Sequence, residues 1–268
     1  MLIVVKVGGS ILGEGINPTI LDDIVEINRK GKLILVHGGG RLVTEIAEKL
    51  GKKQEFIVSP DGIRSRYTDQ ETVEIYTMVM SGLINKEIVA ALHKVGLRAL
   101  GFSGVDGEIL KAERKKKLVI IDERGRKRII DGGYTGKIYQ VNSELLCSIL
   151  DKGYLPVLAP VAIGNESELL NVDGDRAAAY VAGAIKADLI IFLTDVEGII
   201  IDNQIVGRLS LEEAEQLMPK IGFGMKTKLL ASLEALKMGV NKAVICSGKH
   251  EHPLLSAIEG KVGTIISK

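Results

Sequence analysis

The sequence predicts an α/β fold with a mostly parallel sheet that is covered by helices on both faces. Short apolar runs typical of buried strands alternate along the chain with stretches of helical periodicity. Two of the predicted strands run directly into glycines, as strands do before phosphate-binding loops. At 268 residues and 46% apolar composition, the chain is long enough for one large domain or two fused lobes.

The predicted strands and helices alternate in chain order. Strands are expected at residues 2–7, 33–36, 99–102, 155–159, 189–193, 242–246 and 263–266. Helices are expected at residues 19–30, 41–50, 69–95, 143–152, 176–186, 211–218 and 226–238. Neither glycine cluster has the G-x-G-x-x-G spacing of a Rossmann phosphate turn, so the sequence favours another kind of nucleotide-binding α/β sandwich.

The first two strands end in glycine-rich segments, Lys6-Val7-Gly8-Gly9-Ser10 and His37-Gly38-Gly39-Gly40. Glycine has no Cβ, so backbone N–H groups there can approach an anion closely, and a phosphoryl group is the natural anion. Lys6 is placed where a fixed cation could neutralise charge that develops as phosphate moves between two oxygens. The pattern predicts a phosphotransferase.

A strongly basic hairpin is predicted between residues 113 and 137. Two apolar runs, 118–121 and 127–130, flank a turn that contains Gly125. Nine lysines and arginines lie between residues 111 and 128. They could protect an exposed sheet edge from aggregation or dock an acidic partner, and the sequence leaves both alternatives open. Aromatic residues do not interleave the charges, which argues against a platform for single-stranded nucleic acid.

Three further segments place polar residues at the ends of predicted elements. Residues 171–175 (Asn-Val-Asp-Gly-Asp) open a helix of small residues, and residues 193–198 (Leu-Thr-Asp-Val-Glu-Gly) end a buried strand. Asp175 could be an ordinary N-cap. Residues 224–228 (Gly-Met-Lys-Thr-Lys) open a later helix, where two lysines oppose the helix dipole and therefore suggest a bound anion or a specific task.

Composition excludes several classes of protein. Lysine and arginine number 35 against 34 acids, so no overall field favours nucleic acid or an anionic membrane. Cys147 and Cys246 have no metal-ligand spacing and are expected to be buried, reduced thiols. The first apolar run is too short for a membrane span and lacks the features of a leader, and no other stretch is expected to span a membrane. We therefore expect a cytoplasmic protein.

These segments, in this order, resemble the amino acid kinase family, and the resemblance covers essentially the whole chain. It implies a three-layer sandwich with a mostly parallel central sheet. It also implies a single domain over residues 1–268, with a substrate-binding lobe at about 1–170 and an ATP-binding lobe at about 171–268. ATP and Mg²⁺ are the cofactors implied, with few direct protein ligands to the metal.

Within the family the chain is similar to acetylglutamate kinases, with one difference. Those enzymes typically have D-G-x-R-V-T-D at the substrate strand, whereas residues 61–69 here are Asp-Gly-Ile-Arg-Ser-Arg-Tyr-Thr-Asp. This longer form resembles kinases that act on aminoadipate attached through its α-amino group to LysW, a small acidic carrier protein. The longer loop could shape an open channel, and the basic hairpin could dock the carrier.

The resemblance implies phosphorylation of a side-chain carboxylate in lysine and arginine biosynthesis. One methylene changes binding by about 1–3 kcal/mol, so glutamate could be accepted as well as aminoadipate. Acetylglutamate kinase is the enzymatic alternative. An amino-acid-sensing regulatory protein is the non-enzymatic one, although it would be expected to lack one of Lys6, Asp175 or Lys228. Because the first strand begins at Leu2, without the N-terminal helix of hexameric relatives, a homodimer is expected.

The resemblance also assigns residues to roles. Lys6 and Lys228 would stabilise the transferring phosphoryl group, Asp175 would hold both lysines, and backbone N–H groups of Gly9, Gly39 and Gly40 would bind phosphoryl oxygens. Substrate binding is expected from Arg66 or Arg64, Asn171, Gly38 and Tyr67, and the insertion leaves the choice of arginine open. The nucleotide is expected to meet Lys6, Gly8, Gly9, Ser10, Thr194, Asp195, Gly198 and Met225. His37 is expected to be structural, because the ionised acceptor carboxylate has no proton to lose.

Overall fold

The computed structural model describes residues 1–11 and 17–268. Its strands are β1 (Leu2–Val7), β2 (Lys32–His37), β3 (Phe56–Val58), β4 (Arg64–Arg66), β5 (Ala99–Ser103), β6 (Leu110–Arg114), β7 (Lys117–Ile121), β8 (Lys127–Asp131), β9 (Gly136–Val141), β10 (Leu155–Ala159), β11 (Val161–Ile163), β12 (Leu169–Asn171), β13 (Leu189–Thr194), β14 (Ile200–Ile201), β15 (Gln204–Ile205), β16 (Arg208–Ser210), β17 (Lys242–Ser247) and β18 (Thr264–Ser267).

The α-helices are α1 (Pro18–Lys30), α2 (Gly40–Lys49), α3 (Gln70–Thr77), α4 (Asn85–Lys94), α5 (Ser143–Asp151), α6 (Gly174–Ala184), α7 (Leu211–Leu217), α8 (Phe223–Lys237) and α9 (Pro253–Ile258). A π-helical segment, Met78–Ile84, joins α3 to α4 without a break. Short 3-10 turns occupy Asp106–Glu108 and Met218–Lys220.

Eight strands of the described chain form the central sheet, in the order β16-β18-β17-β13-β1-β2-β10-β5. Every pairing is parallel except that of β17 with β18. The strands at its centre are continuous apolar runs because both of their faces are buried. Since β1 pairs with β13, the sheet is continuous across the two halves of the chain, and the division into lobes near residue 170 stays a prediction.

Helices cover both faces of this sheet, which confirms the predicted three-layer α/β sandwich. On one face Val5, Leu35 and Ile191 pack with α1, α2, α3, the π-helix, α4 and α9. On the other face Val4 and Phe192 pack with α5, α6, α7 and α8. Small side chains along α6, such as those of residues 177–179, allow this helix to lie close to the sheet.

Smaller sheets stand beyond the carboxyl ends of the central strands. The largest has the order β12-β11-β6-β9, and two antiparallel hairpins, β3-β4 and β7-β8, lie beside it. Strands β3 and β7 contact each other. Together these pieces wall a cavity whose floor is the edge of the central sheet.

Most predicted elements are present, with informative differences. The structure confirms all seven predicted strands of the central sheet and the hairpin at β7-β8. It adds β16 at the edge, the small four-stranded sheet and α9. The predicted helix at 69–95 is continuous but contains the π-helical segment. Cys246 is buried as expected, whereas Cys147 is only partly buried.

The stretch Gln70–Lys94 is the one described segment that bears on the expectation that the chain has no membrane span. Its 25 residues, with a mean hydropathy of 1.3 in the most apolar window, would allow a membrane span by length and composition alone. In the structure its side chains Ile75, Val79, Met80 and Ile88 pack in the core against the central sheet. Packing in the core therefore accounts for these apolar side chains, whereas Met78 and Leu83 of the same stretch are exposed.

Candidate active site

Three charged side chains from three elements meet at the carboxyl edge of the sheet. Lys6 lies near the end of β1, Asp175 in the first turn of α6, and Lys228 in the second turn of α8. The Nζ of Lys6 is 2.6 Å from Asp175 Oδ1, and the Nζ of Lys228 is 3.3 Å from Asp175 Oδ2. Burial alone would raise the pKa of Asp175, but the two ammonium groups hold that pKa below its usual value. The carboxylate thus fixes two cations that would otherwise repel each other.

The helix starts differ slightly from the sequence-based expectation. The N-cap of α6 is Asp173, whose Oδ1 accepts from the N–H of Arg176 at 2.9 Å, so Asp175 is not the cap. Helix α8 begins at Phe223, which places Lys228 beyond the first turn. The capping role thus belongs to Asp173, and Asp175 is left to pair with the lysines.

The two glycine loops abut each other directly beside this charged cluster. A Cβ built on Gly9 would lie 2.9 Å from the backbone nitrogen of Gly39, and one on Gly38 would lie 3.0 Å from the nitrogen of Gly9. A side chain at Gly9 would collide with backbone, which cannot move aside as a flexible side chain can, and a side chain at Gly38 would make a tight contact with backbone. Close approach therefore requires glycine at Gly9 and favours it at Gly38, and backbone N–H groups are left uncovered there.

A buried hydrogen-bond network supports the second loop. His37 Nδ1 is 3.0 Å from the carbonyl oxygen of Gly38, and a carbonyl can only accept, so Nδ1 carries the proton. His37 Nε2 then accepts from Asn85 Nδ2 at 3.2 Å, and Asn85 also donates to Val157 O at 3.0 Å. Burial lowers the pKa of His37 to about 4, with Lys6 adding to the effect, so the ring is neutral. A planar peptide directs its C=O and the next N–H in opposite directions, so His37 orients the N–H of Gly39.

A cavity of about 740 Å³ extends from this edge to the small sheets. Its lining includes Lys6, Asp175, Gly9 and Gly38 to Gly40 at the inner end. Apolar side chains from β3 and β7, among them Phe56, Leu118 and Val119, line the outer part. The cavity is thus polar where phosphate chemistry is expected and apolar toward the hairpins.

Both candidate arginines line this cavity, in different environments. Arg66 is 8% exposed, and its guanidinium donates to Gly40 O at 2.7 Å, to Thr44 Oγ1 at 2.9 Å and to Gln54 Oε1. All three acceptors are neutral, so the positive charge remains available to an anion, although burial lowers the pKa of Arg66. Arg64 is exposed and stacks on Phe56, with its Cζ 4.1 Å from the ring centroid.

The other predicted substrate residues separate into two groups. Asn171 lines the cavity, and its Nδ2 donates to Thr68 Oγ1 at 2.9 Å. Gly38 lies at the inner end of the cavity. Tyr67 is not among the lining residues, because alternation along the chain after β4 turns it away and its ring approaches the position of Gly133. The structure therefore gives no support for Tyr67 as a substrate contact.

Of the predicted nucleotide residues, Lys6 and Gly9 line the cavity, whereas the other six are not among its lining residues. Gly8 approaches β13 closely, since its N–H donates to Leu193 O at 3.0 Å. Thr194 Oγ1 donates to Asp195 Oδ1 at 3.1 Å, and Gly198 packs on Thr264. Ser10 is exposed in the turn after β1, and Met225 packs partly against the core. The cluster of charged side chains lies between this region and the cavity.

Sequence reasoning missed several residues of the site. Asp173 lines the cavity, and the protein that surrounds its carboxylate, together with the neighbouring Asp175, raises the pKa of Asp173. Arg176 binds Glu234 through two hydrogen bonds of 2.9 and 2.5 Å, which brace α6 against α8. Asp173 could have been recognised from its place before a helix, whereas the brace joins residues 58 apart and leaves no local signal.

The basic hairpin carries fewer available cations than its sequence suggests. Arg126 and Arg128 both pair with Asp122, and Lys111 pairs with Glu108. Within residues 1–11 and 17–268, the exposed cations of the hairpin that have no acidic partner are Lys116, Lys117, Arg124 and Lys127. Two apolar side chains, Val119 and Ile129, pair across the strands and are 45% and 68% exposed.

Metal ligands form no cluster in the described part of the chain. Among these residues no group of three or more His, Cys, Asp and Glu side chains could hold a metal ion. Asp175 is engaged by two lysines, which leaves Asp173 as the carboxylate open to the cavity near them. Such a donor set suits a Mg²⁺ ion that is carried mainly by nucleotide phosphates.

Comparison with known proteins agrees with these observations. Residues 1–247 match the model of the amino acid kinase family. A [LysW]-aminoadipate/[LysW]-glutamate kinase of Saccharolobus islandicus (strain L.S.2.15 / Lassen #1) is 47% identical over 266 residues, which cover 99% of both chains. The protein of the same name from Saccharolobus solfataricus is 46% identical over 267 residues, again with 99% of both chains covered.

Solved structures of lower identity share the fold. The N-acetylglutamate synthase of Neisseria gonorrhoeae superimposes with a TM-score of 0.81 at 23% identity, over 100% of this chain and 59% of that one. A carbamate kinase of Giardia superimposes with a TM-score of 0.69 at 15% identity, over 100% of this chain and 98% of that one. From its sequence match and its three-layer architecture, the chain belongs to the amino acid kinase family.

Proposed function

We propose that this protein is an ATP-dependent kinase that phosphorylates the side-chain carboxylate of aminoadipate, and of glutamate, linked to a LysW-type carrier. The observation that carries the proposal is the Lys6–Asp175–Lys228 cluster beside two abutting glycine loops. Relatives that are 46–47% identical over nearly their full length have names that state this activity. Lysine biosynthesis, and arginine biosynthesis for the glutamate substrate, would use the product in the cytoplasm.

The proposed reaction needs no general base. The acceptor carboxylate is ionised at neutral pH and attacks the γ-phosphorus of ATP in line with the leaving oxygen. What must be overcome is the approach of one anion to another, followed by charge on the transferring group. Lys6 and Lys228, held by the same carboxylate, would supply positive charge on either side of that path. His37 takes no part in proton transfer in this proposal.

Backbone donors would complete the phosphoryl site. The N–H groups of Gly9, Gly39 and Gly40 would bind oxygens of the transferring group. Mg²⁺ would arrive with ATP and neutralise phosphate charge, with Asp173 as a carboxylate of the cavity wall that could face it. The nucleotide itself would lie along Gly8, Ser10, Thr194, Asp195, Gly198 and Met225.

Substrate orientation is assigned to the cavity wall formed by β4 and β12. Arg66 would hold the α-carboxylate, because its charge is buried, rigidly held and not neutralised by any acid in the described residues. Asn171 would contact the amide that links the amino acid to its carrier. Arg64, stacked on Phe56 at the outer end, would meet the carrier side of the substrate.

The carrier is proposed to dock on the β7-β8 hairpin. Lys116, Lys117, Arg124 and Lys127 present positive charge there, and the apolar pair Val119 and Ile129 adds a patch that water solvates poorly. The outer cavity opens beneath the same hairpin, since Leu118 and Ile120 line it. A carrier on this surface could pass its linked amino acid directly toward the glycine loops.

A homodimer is proposed through the β5 edge of the central sheet. In the described residues β5 pairs on one side only, with β10. Met78 and Leu83 of the neighbouring π-helix are 57% and 40% exposed. An uncovered sheet edge beside exposed apolar residues favours contact with a second copy.

The test is ATP-dependent acyl phosphate formation, trapped with hydroxylamine. Carrier-linked aminoadipate, carrier-linked glutamate and free N-acetylglutamate would be compared at equal concentration. We expect turnover with the two carrier-linked substrates and little with N-acetylglutamate. Equal turnover of N-acetylglutamate would instead favour an acetylglutamate kinase, and ligand binding without turnover would favour the amino-acid-sensing alternative.

A further inference from the structure

Lys115 occupies a different position from the other lysines of the basic hairpin. It follows β6 and is partly buried, whereas Lys116 and Lys117 are exposed. Its side chain lines the cavity that also contains Lys6 and the glycine loops. No carboxylate of residues 1–11 or 17–268 comes within 4.0 Å of its ammonium group. The structure thus places an uncompensated cation in the wall of the proposed substrate cavity.

The surroundings of Lys115 disfavour its charged form when no anion is bound beside it. Burial is the main cause that lowers the pKa of Lys115, and the nearby cations Arg176 and Lys137 lower it further. Asp173 acts in the opposite direction but is not in contact. A partly buried ammonium group among other cations gains stability when an anion binds beside it.

A neighbouring hydroxyl provides a second donor. The N–H of Lys115 donates to Thr135 O at 2.9 Å, so the two residues lie side by side on adjacent chain segments. Thr135 lines the same cavity, and its Oγ1 is buried without a hydrogen-bond partner in the described chain. An unpaired buried hydroxyl is unfavourable, and rotation of the Thr135 side chain toward the cavity would let this hydroxyl pair with a ligand oxygen. An ammonium and a hydroxyl together suit one carboxylate.

We propose that Lys115 and Thr135 form a second carboxylate subsite, separate from the phosphoryl site. The proposal rests on the proposed function, because both proposed substrates carry a carboxylate besides the one that reacts. Two sources share this chemistry: the α-carboxylate of the amino acid, which the subsite would then hold together with Arg66, and a carboxylate of the carrier near the linkage. The subsite thus fixes the unreactive end of the substrate while the reacting carboxylate faces Lys6.

The test compares the near-isosteric variants Lys115→Met and Thr135→Val with wild type and with Lys94→Met, an exposed lysine at the end of α4. Steady-state kinetics with carrier-linked aminoadipate would be combined with the Kd of N-acetylaminoadipate measured by calorimetry. We expect Lys115→Met to raise KM at least tenfold and Thr135→Val about threefold, with kcat within threefold of wild type. Lys94→Met and thermal melts control for general damage.

Each outcome decides the proposal. A weaker Kd for N-acetylaminoadipate together with a higher KM identifies the α-carboxylate, and a higher KM with an unchanged Kd identifies a carboxylate of the carrier. Unchanged KM and Kd in Lys115→Met would overturn the subsite. A wild-type protein that forms no acyl phosphate would count against the proposed function, while the Kd of N-acetylaminoadipate for wild type and Lys115→Met would still decide the subsite.

Discussion

At the scale of single residues, the site is defined by one carboxylate between two lysines. Asp175 is almost fully buried, and its two oxygens each face an ammonium group. A buried carboxylate without such partners would be strongly destabilising, and two lysines without it would repel. The resemblance to the family indicated all three residues. No local sequence pattern, however, could show that the carboxylate of Asp175 would hold the ammonium groups of Lys6 and Lys228.

The two lysines of α8 offer a matched pair for testing this arrangement. Lys228→Met removes a cation that pairs with Asp175, whereas Lys226→Met removes one that has no acidic partner in the part of the chain described. We expect the first to lower kcat by about 100- to 1,000-fold, as loss of a transition-state donor typically does, and the second by less than threefold. Hydroxylamine trapping of acyl phosphate measures both. Similar losses in the two variants would contradict the assignment of Lys228.

His37 gives a prediction about pH. Its pKa is about 4 in the folded protein and near 6.5 when unfolded, so below pH 6.5 the unfolded chain binds a proton that the folded chain does not. The stability that His37 contributes is therefore complete above pH 6.5 and is lost as the pH falls toward 4. Between pH 7.5 and pH 5 this amounts to about 2 kcal/mol.

Urea unfolding of wild type and His37→Gln at both pH values measures this contribution. The pKa of His252 is raised, so its contribution to the free energy of unfolding has the opposite pH dependence. Because His252 is present in both proteins, this contribution cancels when the two are compared. We expect the free energy of unfolding of wild type to fall more steeply with acid than that of His37→Gln. Parallel pH profiles would show that His37 is not the buried neutral ring described above.

At the scale of elements, the site is made by two strands that end in glycine at the same edge of a parallel sheet. The register sets Val7 opposite His37, so the loops that follow begin level with each other. The sequence predicted each loop from its strand and glycines. Their contact depends on the pairing of β1 with β2, which no local pattern reveals.

Gly9→Ala tests the contact between the loops. The added methyl group would lie 2.9 Å from the nitrogen of Gly39, so the two backbones must separate and the N–H donors must move. We expect kcat to fall at least 100-fold, since these donors are proposed to bind the transferring phosphoryl group. Gly207→Ala is the control, because nothing lies within 4 Å of its added Cβ and its backbone is not in the left-handed region. Activity of Gly9→Ala near that of the control would argue against these N–H donors.

At the scale of the whole molecule, the sequence predicted the layers but not the cavity. Strands of the central sheet are continuous apolar runs, and their helices have clear periodicity, so both were identified. The walls of the cavity come from short strands such as β4 and β12. Each of these strands has only three residues, which is too short for a recognisable alternation of polar and apolar side chains. The charge of Lys115 suggested a side chain on a solvated hairpin. The pairing of β6 with β9 instead turns this side chain toward the cavity, and no local pattern could show that.

The remaining prediction concerns long-range attraction between this surface and an acidic carrier. The chain has a formal net charge of +1, so any attraction must come from the arrangement of its charges. Lys116→Glu with Lys117→Glu should lower kcat/KM for carrier-linked aminoadipate at least tenfold at low salt and leave kcat within threefold, because docking and not chemistry is altered. The wild-type value should itself fall as salt shortens the screening length to about 10 Å at 0.1 M.

The matched control is Lys94→Glu with Lys242→Glu, which changes net charge equally. Lys94 ends α4 and Lys242 begins β17, so both lie toward the amino ends of the central strands, away from the cavity at their carboxyl ends. Equal losses in the two double variants would mean that net charge, and not the hairpin, sets the rate of encounter. A loss confined to the hairpin variant that disappears at high salt would locate the carrier on β7-β8. Its confinement to that variant would show that the effect is local, and its loss at high salt would show that the effect is electrostatic and not damage to the fold or the active site.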